Sequence, residues 1–190
     1  MIYMFLAPGF EEVEALAPLD LLRRAGLEVT TVAITEPATE HAVKGSHNIT
    51  VLADMSTEAF CRYALSGEQN HPVEAIILPG GMPGTTNLDN SPAVDAALKL
   101  ARGQDAYLCA ICAAPLVLGK RGYLAGKRAT CYPGFESYLK GAEVGGKVIR
   151  DGKVITAAGM GVAQEFGLEM VSALVSPEKA GDIRAAIQSL

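Results

Sequence analysis

The chain has 190 residues, 49% of them apolar and 19% charged, and a formal net charge of −5. This is enough chain to bury a sizeable core as one domain over residues 1–190, and too apolar to be disordered. The acidic balance and scattered Lys and Arg argue against nucleic acid as a partner, and no apolar run approaches the ~20 residues of a membrane span. The N-terminus has neither a basic leader nor a small-residue cleavage site, so it reads as a strand and not as a signal peptide. Four cysteines do not make a disulfide framework at this size, which points to the reducing cytosol.

Taken in chain order, short apolar runs alternate with segments of helical period. Ile2–Leu6 predicts a strand, Glu12–Ala25 a helix, and Val29–Ala33 a second strand. Ile49–Leu52 reads as a small additional strand and Thr57–Leu65 as a helix. Ser66–Pro72 is polar and reads as a loop. Ala75–Leu78 predicts a strand and Pro92–Arg102 a helix, with Ser91-Pro92 as N-cap and N1. Gly26 and Gly103 sit where helices should stop. Ala106–Ile111 predicts a strand and Ala113–Lys120 a helix. Lys147–Arg150 reads as a further small strand, with Asp151-Gly152 turning the chain into a strand at Val154–Thr156. Gly161–Val175 and Glu178–Gln188 predict the last helices. Near-continuous apolar strands alternating with helices indicate a parallel sheet covered on both faces.

Ligands of such a sheet bind outside the carboxyl ends of its strands. Three motifs fall there: Pro8-Gly9 leading into Glu11-Glu12-Val13-Glu14, Pro79-Gly80-Gly81, and Ala110-Ile111-Cys112-Ala113-Ala114-Pro115. Cys112 stands on a tight strand-to-helix turn, which lifts a nucleophile clear of the sheet. The positive end of the following helix favours a thiolate, so the Cys112 pKa is expected to fall. Free cysteines usually act as small buried hydrophobes, and Cys61, Cys109 and Cys131 fit that description; the turn sets Cys112 apart.

Glu11 and Glu12 suit the first turn of a helix, where acidic side chains complement its dipole. Glu14, between Val13 and Ala15, is either a surface carboxyl or a buried one facing the thiol, and the spacing leaves both open. Gly80-Gly81 is either a simple turn or a close backbone approach to a ligand, with an N–H aimed at an oxyanion. His41, His47 and His71 read as loop or surface residues. They have no metal-ligand spacing, Cys109/Cys112 is a lone CxxC, and Gly159-Met160-Gly161 is a weak phosphate signature, so neither a metal nor another cofactor is expected.

These motifs, together with Thr156-Ala157-Ala158-Gly159, resemble the ThiJ/PfpI superfamily across nearly the whole chain, most closely the branch of the parkinsonism-associated protein deglycase. The resemblance implies a flavodoxin-like α/β three-layer sandwich with a nucleophile-elbow cysteine, usually a homodimer. It implies Cys112 as nucleophile and redox-sensitive thiol, Glu14 as its acid/base partner, and the N–H groups of Gly81 and Ala113 as an oxyanion or sulfinate pocket beside Gly80. It further implies cofactor-free glyoxalase or deglycase chemistry on a small dicarbonyl or a glycated adduct, or a stress-sensing or chaperone role without turnover. Proteolytic relatives place histidine directly after the cysteine, where this chain has Ala113. Many relatives of the branch place histidine before a nearby proline, where Ala129-Thr130-Cys131-Tyr132-Pro133 offers Tyr132. A phenol donates a hydrogen bond but is a poor base near neutral pH.

Overall fold

The computed structural model describes residues 1–64, 66 and 72–189. The elements are β1 (Ile2–Leu6), α1 (Glu12–Arg24), β2 (Val29–Ala33), β3 (Ala42–Lys44), β4 (Thr50–Leu52), β5 (Met55–Ser56), α2 (Thr57–Ala64), β6 (Ala75–Leu78), α3 (Gly84–Asn90), α4 (Pro92–Gly103), β7 (Tyr107–Ile111), α5 (Pro115–Lys120), β8 (Arg128–Ala129), β9 (Glu143–Val144), β10 (Val148–Asp151), β11 (Val154–Ala157), α6 (Ala163–Leu174) and α7 (Pro177–Ala186). Seven strands form one sheet in the order β10-β11-β7-β6-β1-β2-β5. Every neighbouring pair in it is parallel except β10–β11. Helices cover both faces, the flavodoxin-like sandwich the resemblance implies.

The period-2 pattern of β1 sorts its side chains between two cores. Tyr3 and Phe5 point to the face covered by α2, α4 and α5, where they meet Phe60, Val94, Leu98 and Val117. Ile2, Met4 and Leu6 point to the other face, against Leu19 and Leu22 of α1 and Phe166 and Met170 of α6. The Phe60 ring stands edge-on to both Tyr3 and Phe5, at centroid distances of 5.1 and 5.0 Å. Gly167 lets α6 lie on α1, because a Cβ there would stand 2.8 Å from Leu21 Cδ1 and 3.0 Å from Pro18 Cα.

Several sequence expectations shift. Ser91 caps α4, its Oγ accepting the Val94 N–H at 3.4 Å. Gly103, however, still belongs to the helix, and the left-handed residue that ends it is Asp105 at φ 54. An Asp tolerates that conformation because its short polar side chain can bond locally. The β10–β11 register pairs Asp151 with Val154, so the two-residue turn is Gly152-Lys153, not Asp151-Gly152. Gly152 takes φ 58, the left-handed first position such a turn requires. The helix expected from Ala113 begins at Pro115, because residues 112–114 form the turn itself. The expected loop 66–72 and Leu65 lie largely outside the described residues, as does His71.

Phe60 is fully buried and joins α2 to β1, so Phe60→Ala should cost about 3–5 kcal/mol in urea unfolding. A loss below about 1 kcal/mol would show that the face refills the space and that these ring contacts do not hold α2 to the sheet.

Candidate active site

Cys112 follows the last residue of β7 with φ 64, a left-handed conformation that costs a side-chain-bearing residue about 1–3 kcal/mol. Two backbone bonds hold it there: the Cys112 N–H donates to Ala157 O at 2.8 Å, and Cys112 O accepts the Tyr132 N–H at 2.8 Å. The neighbouring strand β11 and the 130–132 segment thus fix the turn from two sides. The half-buried Cys112 side chain meets Glu14 and receives the N–H groups of Gly81 and Ala113.

Glu14 projects from the first turn of α1 and is 1% exposed, which settles it as the buried carboxyl and not the surface one. Its Oε2 accepts the Gly80 N–H at 3.0 Å. The Met160 N–H, from the turn after β11, also faces the carboxyl. Gly80 has no side chain because none fits: a Cβ there would stand 2.4 Å from Glu14 Oε2 and 2.6 Å from Cys112 Cβ. The loops carrying these groups pack backbone against backbone. A Cβ at Gly81 would come within 2.4 Å of Glu11 N, and one at Gly84 within 2.6 Å of Phe10 N. The Glu11 N–H donates to Gly80 O at 2.9 Å, closing the contact.

Burial pushes the Glu14 carboxyl up to about 7; the hydrogen bond with Cys112 and the two N–H donors oppose that rise, and the charge of Glu11 adds to it. Burial likewise pushes the Cys112 thiol up to about 12, reinforced by the Glu14 charge and only partly offset by the N–H groups of Ala113 and Gly81. The expected fall in the thiol pKa is therefore corrected. Burial of the sulfur, with the Glu14 charge added to it, outweighs the N–H donors at the start of the six-residue α5. The two groups titrate as a pair. The first proton leaves the carboxyl near pH 7, and the one remaining stays chiefly on the sulfur; while Glu14 is protonated, the charge that opposes the thiolate is absent and the carboxyl offers it a hydrogen bond.

The other residues singled out in the sequence divide clearly. Tyr132 stands over Gly159, whose Cβ position is 3.3 Å from the ring, and is 51% exposed at the rim of the crevice. Cys109 lies wholly buried in β7, where burial raises its thiol far above the ordinary range. That argues against a dithiol with Cys112. Cys131 is buried and Cys61 half-buried, both with raised thiols. His41 sits in the loop before β3, its Nδ1 2.9 Å from Ala53 O.

Glu12 does more than complement a helix dipole. It is 3% exposed and takes the His47 N–H at 2.7 Å and the Ile49 N–H at 3.4 Å, with His47 Nδ1 2.9 Å away. Burial disfavours its charge, yet these bonds hold its carboxyl at about 2 and raise the His47 pKa. Glu12 thus ties the β3–β4 hairpin to the start of α1. Glu11 caps α1, its Oε2 accepting the Glu14 N–H at 2.7 Å. Glu11, Glu12 and His47 have ligand atoms within 4.8 Å of one another, and both Glu12 oxygens already face the His47 N–H and ring. No described helix is long and apolar enough to cross a membrane.

Residues 1–173 match the family model described as DJ-1/PfpI family. The chain is 33% identical to the Danio rerio Parkinson disease protein 7 homolog, over 97% of this chain and 94% of that one. It is 34% identical to the Caenorhabditis elegans glutathione-independent glyoxalase DJR-1.2, over 91% of this chain and 87% of that one. Among solved structures, oxidized Toxoplasma gondii DJ-1 superposes with a TM-score of 0.88 at 32% identity, covering 98% of this chain and 97% of that one.

The raised Glu14 pKa has a consequence for stability. Below pH 4.5 the carboxyl is protonated in both the folded and the unfolded chain. Between pH 4.5 and about 7 only the fold keeps the proton, so stability from this group falls across that window and is lost above it. Urea unfolding of Glu14→Gln should therefore gain on the order of 3 kcal/mol relative to wild type on going from below this window to above it. A difference that does not change with pH would show that Glu14 does not hold a proton in the fold.

Proposed function

The chain belongs to the DJ-1/PfpI family, and from that premise we propose that it is a cofactor-free glyoxalase acting on methylglyoxal or glyoxal, with Cys112 as nucleophile and Glu14 as acid/base. The observation that carries the reading is the pairing of buried Glu14 with half-buried Cys112 at the carboxyl ends of β1 and β7. A carboxyl near neutrality beside a thiol can both take a proton and return it. The C. elegans relative named as a glutathione-independent glyoxalase supports the reaction class.

In this reading the Cys112 sulfur adds to the aldehyde carbon, and the oxygen that becomes an oxyanion sits against the Gly81 and Ala113 N–H groups. Protonation of that oxygen gives a hemithioacetal. Glu14 removes the proton from the former aldehyde carbon, giving an enediol, and delivers it to the adjacent carbon. The product is a thioester of the 2-hydroxy acid. Water hydrolyses it, releasing lactate from methylglyoxal and restoring the thiol, so the sum is dicarbonyl plus water to hydroxy acid. Tyr132, at the rim, positions a substrate oxygen and replaces the imidazole that many relatives carry. Glu14 is left as the proton carrier of the crevice.

A second reading rests on the same two N–H groups. They would bind the oxygens of a Cys112 sulfinate as well as an oxyanion, which suits an oxidation-sensing or stress-protein role without turnover. We place the protein in the cytoplasm as a homodimer, as is usual for the branch it resembles.

Methylglyoxal consumption without glutathione separates the readings. The glyoxalase reading expects turnover by wild type, none by Cys112→Ala, and a loss of at least roughly 10²-fold in kcat for Glu14→Gln. Wild-type turnover no faster than Cys112→Ala would leave the oxidation-sensing role as the reading to pursue.

A further inference from the structure

A cavity of about 400 Å³ opens at the far end of the sheet from Cys112. The end of α4, the amino ends of β7 and β11, and the segment 122–127 after α5 form its walls. We propose that it is a binding site for a small phosphate-bearing anion, held by Arg102, Lys127 and Lys153.

All three cations line the cavity. The Arg102 guanidinium lies over the Tyr123 ring, with Cζ 4.8 Å from the centroid. Lys153 Nζ lies 4.3 Å from the centroid of Tyr107. Lys127 Nζ reaches Asp151 O at 3.5 Å. None of the three has an ion-pair partner among the described residues. Asp105 is the one acidic side chain among the lining residues, and nearby Asp151 turns its Oδ2 to the Arg128 N–H at 2.9 Å.

Three cations against one carboxylate leave two positive charges uncompensated, in a chain whose net charge is −5. Bringing like charges together costs free energy that an anion between them recovers. The aromatic faces restrain Arg102 and Lys153 before any ligand arrives, so less side-chain freedom is lost on binding. Leu108, Ala106 and Val154 supply an apolar floor that strengthens the attraction by lowering the local dielectric. A phosphate suits this set, because a planar guanidinium grips two of its oxygens while the ammonium groups act as point charges.

Isothermal titration of inorganic pyrophosphate into the full chain tests the site. Wild type should bind one pyrophosphate saturably at low salt. The triple variant R102A/K127A/K153A should bind on the order of tenfold more weakly or worse. The control K140A/K147A/K179A, which removes as many charges outside the cavity, should bind as wild type does. Thermal unfolding without ligand checks that each variant folds, and the single variant R102Q replaces the first triple if it does not. The absence of saturable binding by wild type, or equal weakening in both triples, would overturn the proposal.

Discussion

A buried carboxyl pressed against a half-buried thiol, with one proton between them near neutrality, sets the terms for the rest of this molecule. Neither group is comfortable alone. Burial disfavours the charged form of each, and an ionised Glu14 disfavours the Cys112 thiolate further. The pair persists because the fold supplies donors that an open surface would not: Gly80 and Met160 N–H groups for the carboxyl, and Gly81 and Ala113 N–H groups for the sulfur. These donors belong to the backbone, so they stay aimed without any side chain having to be ordered.

The arrangement depends on close backbone packing. Three strand ends, those of β1, β6 and β7, are brought side by side by the parallel register. Their loops then approach so tightly that glycine is required at 80, 81 and 84. Helix α1 begins where Glu11 can cap it, and that phase turns Glu14 inward. Cys112 bears a left-handed conformation that the Ala157 and Tyr132 bonds hold in place. Strain of about 1–3 kcal/mol at one residue is tolerable where two large cores supply the stability.

The frame was largely legible from the chain itself. Ile2–Leu6, Val29–Ala33 and Ala75–Leu78 are strands with the bounds their apolar runs imply. Helix α3 was not legible: Gly84-Thr85-Thr86-Asn87 is a poor helical start, and it forms because Gly84 packs on the Gly9–Phe10 backbone and Leu88 is buried in the core. The three-residue strand β3 lies in a polar stretch and exists through its pairing with β4. For the site, the cysteine turn stood out because strand, turn and helix are adjacent in sequence. The anchoring role of Glu12 did not, since its partners His47 and Ile49 lie 35 and 37 residues away. The direction of the thiol pKa was misread for the same reason. A helix start is visible locally, whereas the burial that raises the thiol, and the Glu14 charge that adds to it, exist only in the assembled fold.

The coupling of Glu14 to Cys112 is the central claim, and the pH dependence of Cys112 alkylation by iodoacetamide measures it most directly. Wild type should show a step in rate near pH 7, where the pair loses its first proton, and a further rise at high pH. Glu14→Gln should lose the step near pH 7 and keep a single rise. A step that survives unchanged in Glu14→Gln would contradict the account, because the sulfur would then titrate without reference to the carboxyl.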